Sequence, residues 1–470
     1  MPVEKAFERP ARDRLRSRTN RFTQKRLESL CLHQCNLHNR KASATNRAFE
    51  FEAGLAAGGG HRHSLGVNVE RNASHPPRRS LYLAVAAAGA SAFIDMYATQ
   101  PLLPELRRAF AASEAEVSAT VSALIFATAC AALAIGPLAD RIGRKRIIVT
   151  SIALLGVATL ATATAQSLPA LVAWRFVQGI FMPGIFTVTL AYIAEEFPAN
   201  LGGRAVGAYV GGNVFGGFAG RYLSALVAAH SSWHVSFVVL GVLNFAGAAV
   251  VFAALPRAAH FTRATSFAAA FRAMARFVRN PVLLATYAIG GASLFTIVAA
   301  FTYATFYLAA PPFALGTAAL GNVFFVYLAG VVAVPLSGRL VDRVGHRATA
   351  LLCAAVAAAG ITLTLVPTLP AVLLGLALMA SGTFCVQATS QGYVGVVAAA
   401  QRSSAAALYI ATYYAGGGIG ALAPAAAWTY GGWPATVALI FAVQIAIGVL
   451  AVSAWPPLSG ARRPPLATPG

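Results

Sequence analysis

From about residue 80 onward the chain is a series of long apolar runs broken by short polar turns. Tyr82 to Leu103 contains a single charge, Asp95, and Val235 to Leu255 contains none. About 20 apolar residues in an α-helix cross a hydrocarbon layer of about 30 Å. The runs predict twelve spans. Six fall at 81–103, 117–137, 147–166, 170–194, 205–228 and 235–256, and six at 282–308, 320–337, 348–366, 371–397, 404–427 and 434–454. Separators such as Ser167-Leu168-Pro169 and Pro367-Thr368-Leu369-Pro370 are turn chemistry, and connections that short make neighbouring helices antiparallel. The expected fold class is therefore an all-α integral membrane protein. Two six-helix bundles, 81–256 and 282–454, are joined by a central connection at 257–281 and followed by a tail at 455–470.

Composition agrees with this pattern. The 470 residues are 57% hydrophobic and only 11% charged, too little charge to cover a soluble surface. Residues 1–80 differ, holding 16 of the 36 Lys and Arg and 7 of the 15 acids with no apolar run. They read as a disordered cytoplasmic tail, or as sequence ahead of the true start, rather than a nucleic-acid arm. No signal-peptide core precedes the first span. Cys130, Cys353 and Cys385 lie in apolar runs, where cysteine acts as a small hydrophobe. Cys31 and Cys35 with His33 and His38 match no common zinc spacing. No metal or other cofactor is expected, and no disulfide framework.

Charge then sets orientation. With the N-terminus inside, the even connections carry Arg141, Arg144, Lys145, Arg146, Arg204, Arg257, Arg263, Arg272, Arg276, Arg279, Arg339, Arg343, Arg347 and Arg402. The odd ones carry only Arg107 and Arg108. That bias predicts both termini in the cytoplasm and a cytoplasmic (inner) membrane location. In the central connection Phe261, Phe267, Phe271 and Phe277 are interleaved with basic residues, as suits a segment lying on an anionic leaflet.

The halves repeat each other. Gly136-Pro137-Leu138-Ala139-Asp140-Arg141-Ile142-Gly143-Arg144-Lys145-Arg146 follows span 2, and Gly338-Arg339-Leu340-Val341-Asp342-Arg343-Val344-Gly345-His346-Arg347 follows span 8. Span 5 holds Gly207, Gly211, Gly212, Gly216, Gly217 and Gly220, and span 11 echoes it with Gly416 and Gly420. A six-helix unit has been duplicated.

These motifs resemble those of the major facilitator superfamily, with the likeness running from about residue 80 to 455. The first loop is similar to that superfamily's signature, and the second to its degenerate echo. Arg175-Phe176-Val177-Gln178-Gly179 in span 4 resembles the Arg-x-x-Gln-Gly motif of proton-coupled members. The span 5 glycines are similar to the glycine-rich motif of twelve-helix drug–proton antiporters and related sugar or metabolite exporters, although the Gly-Pro step of that motif is missing. The resemblance implies a monomeric secondary transporter that moves a small organic solute by alternating access, with protons as coupling ion and export as direction. Proton-coupled uptake and a transporter-like sensor are the alternatives. The intact gating loop argues against a sensor, and the spans hold no nucleophile–base pair or phosphate loop that would suggest an enzyme.

Particular residues carry these expectations. In the gating loop Gly136 and Gly143 permit tight backbone turning. Asp140, with Arg141 and Arg144, is expected to hold the cytoplasmic side closed against the N-terminus of span 11 near Ser403 and Ser404, and Asp342 and Arg343 are its echo. Glycines four apart give a helix a flat face for close approach. Charges inside a span are costly unless paired or watered, so Asp95, Arg175 and Arg221 are candidates for proton coupling. Asp95 is the only acid well inside a span, Arg175 and Gln178 share a helix face, and Arg221 is a candidate structural partner of Asp95. Glu195 and Glu196 fall at the cytoplasmic end of span 4 and read as interfacial. Tyr97, Gln178, Asn213, Asn244, Tyr303, Gln387, Gln391 and Tyr413 are polar candidates for the cavity lining.

Overall fold

The computed structural model describes residues 79–256, 277, 279–398 and 402–456, with the side chains of 137, 140, 199, 200 and 402–404 outside that description. The N-terminal tail with Cys31 and Cys35, most of the central connection with Phe261, Phe267 and Phe271, and most of the C-terminal tail lie outside it too.

Every regular element among the described residues is helical. The first half comprises α1 (Arg79–Met96), a 3₁₀ turn (Gln100–Leu102), α2 (Leu103–Ala109), α3 (Glu114–Ile142), α4 (Arg144–Thr162), α5 (Leu168–Glu196), α6 (Ala199–His230) and α7 (Trp233–Ala254). The second comprises α8 (Pro281–Ala309), α9 (Thr317–Val323), a second 3₁₀ turn (Phe324–Val326), α10 (Tyr327–Leu363), α11 (Leu369–Val397), α12 (Arg402–Leu422) and α13 (Pro424–Ala454). Nine described helices are long and apolar enough to cross a membrane. The difference from the twelve expected spans falls at three places. Spans 8 and 9 are read as one helical run through α10, which breaks at Gly345 (φ 81°, ψ 169°). The other two are α6 and α12, where glycine and tyrosine replace bulky aliphatics.

Polar residues start several helices. Ser113 and Glu116 form a reciprocal capping box on α3, with the Ser113 amide donating to Glu116 at 2.8 Å. Ser167 caps α5, Ser232 caps α7 and Asn280 caps α8. Large apolar side chains such as Phe215, Phe252, Val332 and Val449 face outward, as a lipid-facing surface requires.

The signature segment corrects one expectation. Asp140 and Gly136 belong to α3, which runs on to Ile142, and α4 begins at Arg144. The turn is made by Gly143 alone, at φ 102°, a backbone region that L side chains resist. Gly345 does the same in the second copy. Gly136 has open space around it.

The duplication is visible in packing. The helix pairs α1–α6, α3–α5 and α4–α7 of the first half recur as α8–α12, α10–α11 and α10–α13 in the second. Gly216 lies on the backbone of Ala90 and Gly220 on that of Ile94, while Gly416 lies on Gly291 and Gly420 on Phe295. Each contact advances four residues on both helices, so the paired helices run parallel. Gly212 extends the first ladder against the Ala86 backbone.

We term the end bearing Gln100–Ser113 the far end and the end bearing Arg141–Arg146 the basic end. Side-chain hydrogen bonds join the halves toward the far end. Gln100 donates to Thr302 (3.2 Å), Ser122 to the Gly418 carbonyl (2.8 Å) and Thr317 to Glu105 (3.4 Å).

Candidate functional site: a buried polar seam

Two polar clusters sit in the far half. The first surrounds Asp95 on α1, which is fully buried. Its Oδ2 accepts a hydrogen bond from Asn244 Nδ2 on α7, and the Thr159 hydroxyl of α4 lies beside the carboxylate. Arg175 of α5, also fully buried, does not grip this carboxylate. Its Nη1 donates to the Asp95 backbone carbonyl (2.9 Å) and to Gln178 Oε1 (2.7 Å), its Nη2 to the Met96 carbonyl (3.0 Å) and its Nε to the Thr120 carbonyl (3.1 Å). Gln178 in turn donates to Thr159 Oγ1 at 2.8 Å. Arg175 therefore satisfies carbonyls freed where α1 ends at Met96, and its charge sits beside Asp95 without locking it. A buried guanidinium in this position is not a side chain snorkelling to the surface.

The halves show how this cluster was built. In the second half Gln444 Nε2 of α13 donates to Thr296 Oγ1 of α8 at 2.7 Å. In the glycine ladder Ile94 matches Phe295, so Asp95 matches Thr296, and Asn244 matches Gln444 two hundred residues on. The same helix–helix contact is thus charged in one half and neutral in the other.

The second cluster surrounds Arg221 of α6, which is 1% exposed. Its Nε donates to Gln100 Oε1 (2.9 Å) and its Nη1 to the Gly217 carbonyl (2.7 Å). Its guanidinium carbon stands 4.3 Å from the ring centre of Tyr97, 4.7 Å from Tyr327 and 5.1 Å from Phe324. Tyr97 comes from the first half and the other two rings from the second. Arg221 is not the partner of Asp95. Its bonds go to Gln100, whose own amide reaches Thr302 across the seam.

The other candidates scatter. Tyr413 stacks on Tyr409 (6.1 Å, 16°) and meets Tyr414 edge-on (5.4 Å), whose ring lies 5.4 Å from Phe186 across the seam. Tyr303 is buried at the far end against Phe306 and Trp428. The amide nitrogen of Asn213, oriented to suit its neighbours, reaches the Gly89 (3.3 Å) and Tyr209 (3.2 Å) carbonyls and ties α6 to α1. Gln387 is half-buried and Gln391 exposed. Gly207 and Gly211 face open space, and a Cβ added at Gly217 would stand 3.6 Å from Arg221 Nη1. At the basic end Arg144 forms a two-pronged ion pair with Glu195 (2.7 and 3.1 Å), so that glutamate is half-buried and paired. The side chain of Asp140 is outside the described residues. Asp342 and His346 line a groove of about 380 Å³ with Thr389 at the basic end of the second half. Gln100, Thr302, Thr159 and Phe324 are functional-site residues that pattern alone did not mark. Gln100 carried the one available signal, an amide at the buried end of an apolar run.

The family model described as Major Facilitator Superfamily matches residues 85–324 and 292–469. The chain is 30% identical to the uncharacterised MFS-type transporter YybF of Bacillus subtilis, over 78% of this chain and 91% of that one. It is 28% identical to the inner membrane transport protein YnfM of Escherichia coli, over 78% and 89%. Its fold is similar to a D-xylose–proton symporter, with a TM-score of 0.64 at 15% identity over 80% of this chain and 97% of that one.

Proposed function

The chain belongs to the major facilitator superfamily, a family of membrane solute transporters, and we propose that it is a proton-coupled exporter of a small organic solute, working by alternating access with both termini in the cytoplasm. One observation carries the proton-coupling reading. The first half places a carboxyl where the second half makes the same buried contact with threonine, Asp95–Asn244 against Thr296–Gln444. Packing does not require the acid there. A buried carboxylate needs donors for both oxygens. Asp95 has Asn244 and the Thr159 hydroxyl beside it, the latter already donating to the Leu155 carbonyl, and uptake of a proton removes the buried charge that this thin shell would have to solvate. Arg175, held by backbone carbonyls, supplies a fixed positive field in which the carboxyl can lose and regain a proton as its access to water changes.

The gating reading rests on the signature. Asp140 lies in the last turn of α3, and α3 packs along α12, whose N-terminus begins at Arg402. An aspartate beside a helix N-terminus is attracted to its positive end, and rocking of the halves breaks that attraction. Seam bonds near the far end, with basic residues concentrated at the other, are consistent with a molecule closed on the outside.

The test is solute flux in inverted vesicles with an imposed proton gradient, across a compound panel. Asp95→Asn and Asp95→Thr, the latter copying the second half, are expected to abolish gradient-driven accumulation while sparing exchange at zero gradient. If both still accumulate solute with normal pH dependence, the proton is carried elsewhere.

A further inference from the structure

Arg221 presents a puzzle that the proton reading leaves open. It is a full positive charge buried in the far half, and among the described residues no carboxylate pairs with it. Its electrostatic neighbours are the phenols of Tyr327 and Tyr97. Asp95 is engaged by Asn244 and has Arg175 as its charged neighbour, and Glu105 lies with Thr317 and Arg108. The guanidinium also lies against the neutral Tyr327 hydroxyl, and Nη2 has no charged acceptor among the described residues. A buried charge without a counter-charge is strongly unfavourable unless something supplies one.

A purely structural role does not need the charge. Joining Gln100 and the Gly217 carbonyl takes only neutral donors, which the equivalent region of the second half manages without arginine, having Ala421 one residue past Gly420. The surroundings instead fit ligand capture. Three aromatic rings surround the guanidinium carbon, with their centres 4.3, 4.7 and 5.1 Å from it. A guanidinium attracted to ring faces still offers N–H donors, and a pair of these matches a carboxylate's two oxygens. The rings come from both halves, so the group lies where a solute would be enclosed by alternating access.

We infer that the transported solute is a small organic anion, a carboxylate on an apolar or aromatic body, whose charge is taken by Arg221 between Tyr97 and Tyr327. This rests on the transporter reading above, because it places the solute between the halves. It does not depend on the coupling ion. The anion supplies the missing counter-charge to Nη2, and its apolar body lies against the aromatic faces at the seam. A neutral solute of the same shape leaves the cation unpaired and gains nothing from it.

The experiment is a binding measurement at zero gradient on the full chain in nanodiscs. Thermal protection is read against benzoate, phenylacetate, salicylate and octanoate, each paired with its neutral amide. At least one acid is expected to protect with a half-saturating concentration tenfold or more below that of its amide. Arg221→Lys should keep the acid preference in weakened form, and Arg221→Gln should lose it. If no acid outperforms its amide, or if Arg221→Gln keeps the preference, the inference is wrong. Should Arg221→Gln fail to fold, the wild-type acid–amide comparison and the lysine variant decide. Because no gradient is applied, an error about proton coupling leaves these readouts unchanged. That error would appear only in the Asp95 flux assay.

Discussion

Two glycines of α6 offer a controlled comparison. At Gly220 an added Cβ would fall on the backbone carbonyl of Ile94, while at Gly207 it would meet nothing within 4 Å. Both positions are helical, so glycine-to-alanine gains about 1 kcal/mol of helix propensity at each. That gain cancels in the difference between the two variants. What remains is the overpacking at Gly220, which costs on the order of 1–3 kcal/mol in a close-packed contact. The carbonyl of Ile94 cannot rotate aside as a flexible side chain could, so α1 and α6 must separate. Equilibrium unfolding in mixed detergent micelles, followed by circular dichroism, measures both variants on one scale. Gly207→Ala is expected to match or slightly exceed the parent in stability. Gly220→Ala should fall about 1–3 kcal/mol below Gly207→Ala. Equal stabilities would mean that the parallel glycine ladder is not a tight contact.

Two further outcomes follow from the repeated signature. Asp140→Asn should slow flux severalfold or more while leaving solute affinity within about twofold, since it removes the attraction between α3 and the start of α12 without touching the seam; unchanged flux on the same purified variant would end the gating reading. Gly345→Ala should destabilise the second half by about 1–3 kcal/mol, because φ 81° with ψ 169° is essentially a glycine-only conformation, and the same unfolding titration reads it.

Much of the architecture could be read from residue order. Apolar runs located the helices, the matched Asp140 and Asp342 segments exposed the duplication, and the glycines of span 5 pointed to close contact. The finer assignments were hidden for identifiable reasons. Hydropathy says nothing about which glycines meet a neighbour, so Gly207 and Gly220 looked alike. The four-residue register with α1 separates them. Arg175 and Arg221 looked interchangeable as partners for Asp95 because charge pairing is the first guess for buried ions. Arg175 spends most of its donors on main-chain carbonyls, which no sequence pattern displays, and Arg221 goes to Gln100 across the turn that follows α1. Phe324 was unreadable because an aromatic that faces a cation has the same sequence signature as one that fills a core.

Three of the bonds across the seam also bear on populations. Each neutral or singly charged hydrogen bond contributes on the order of 1 kcal/mol net. Together the Gln100, Ser122 and Thr317 bonds are worth about 3 kcal/mol, by themselves a bias on the order of a hundredfold toward the arrangement that makes them. A ligand that prefers an opened form by the same factor is enough to offset these bonds. On the polar side alone, then, opening needs no tight capture, and a very strong binder would oppose turnover by trapping one state.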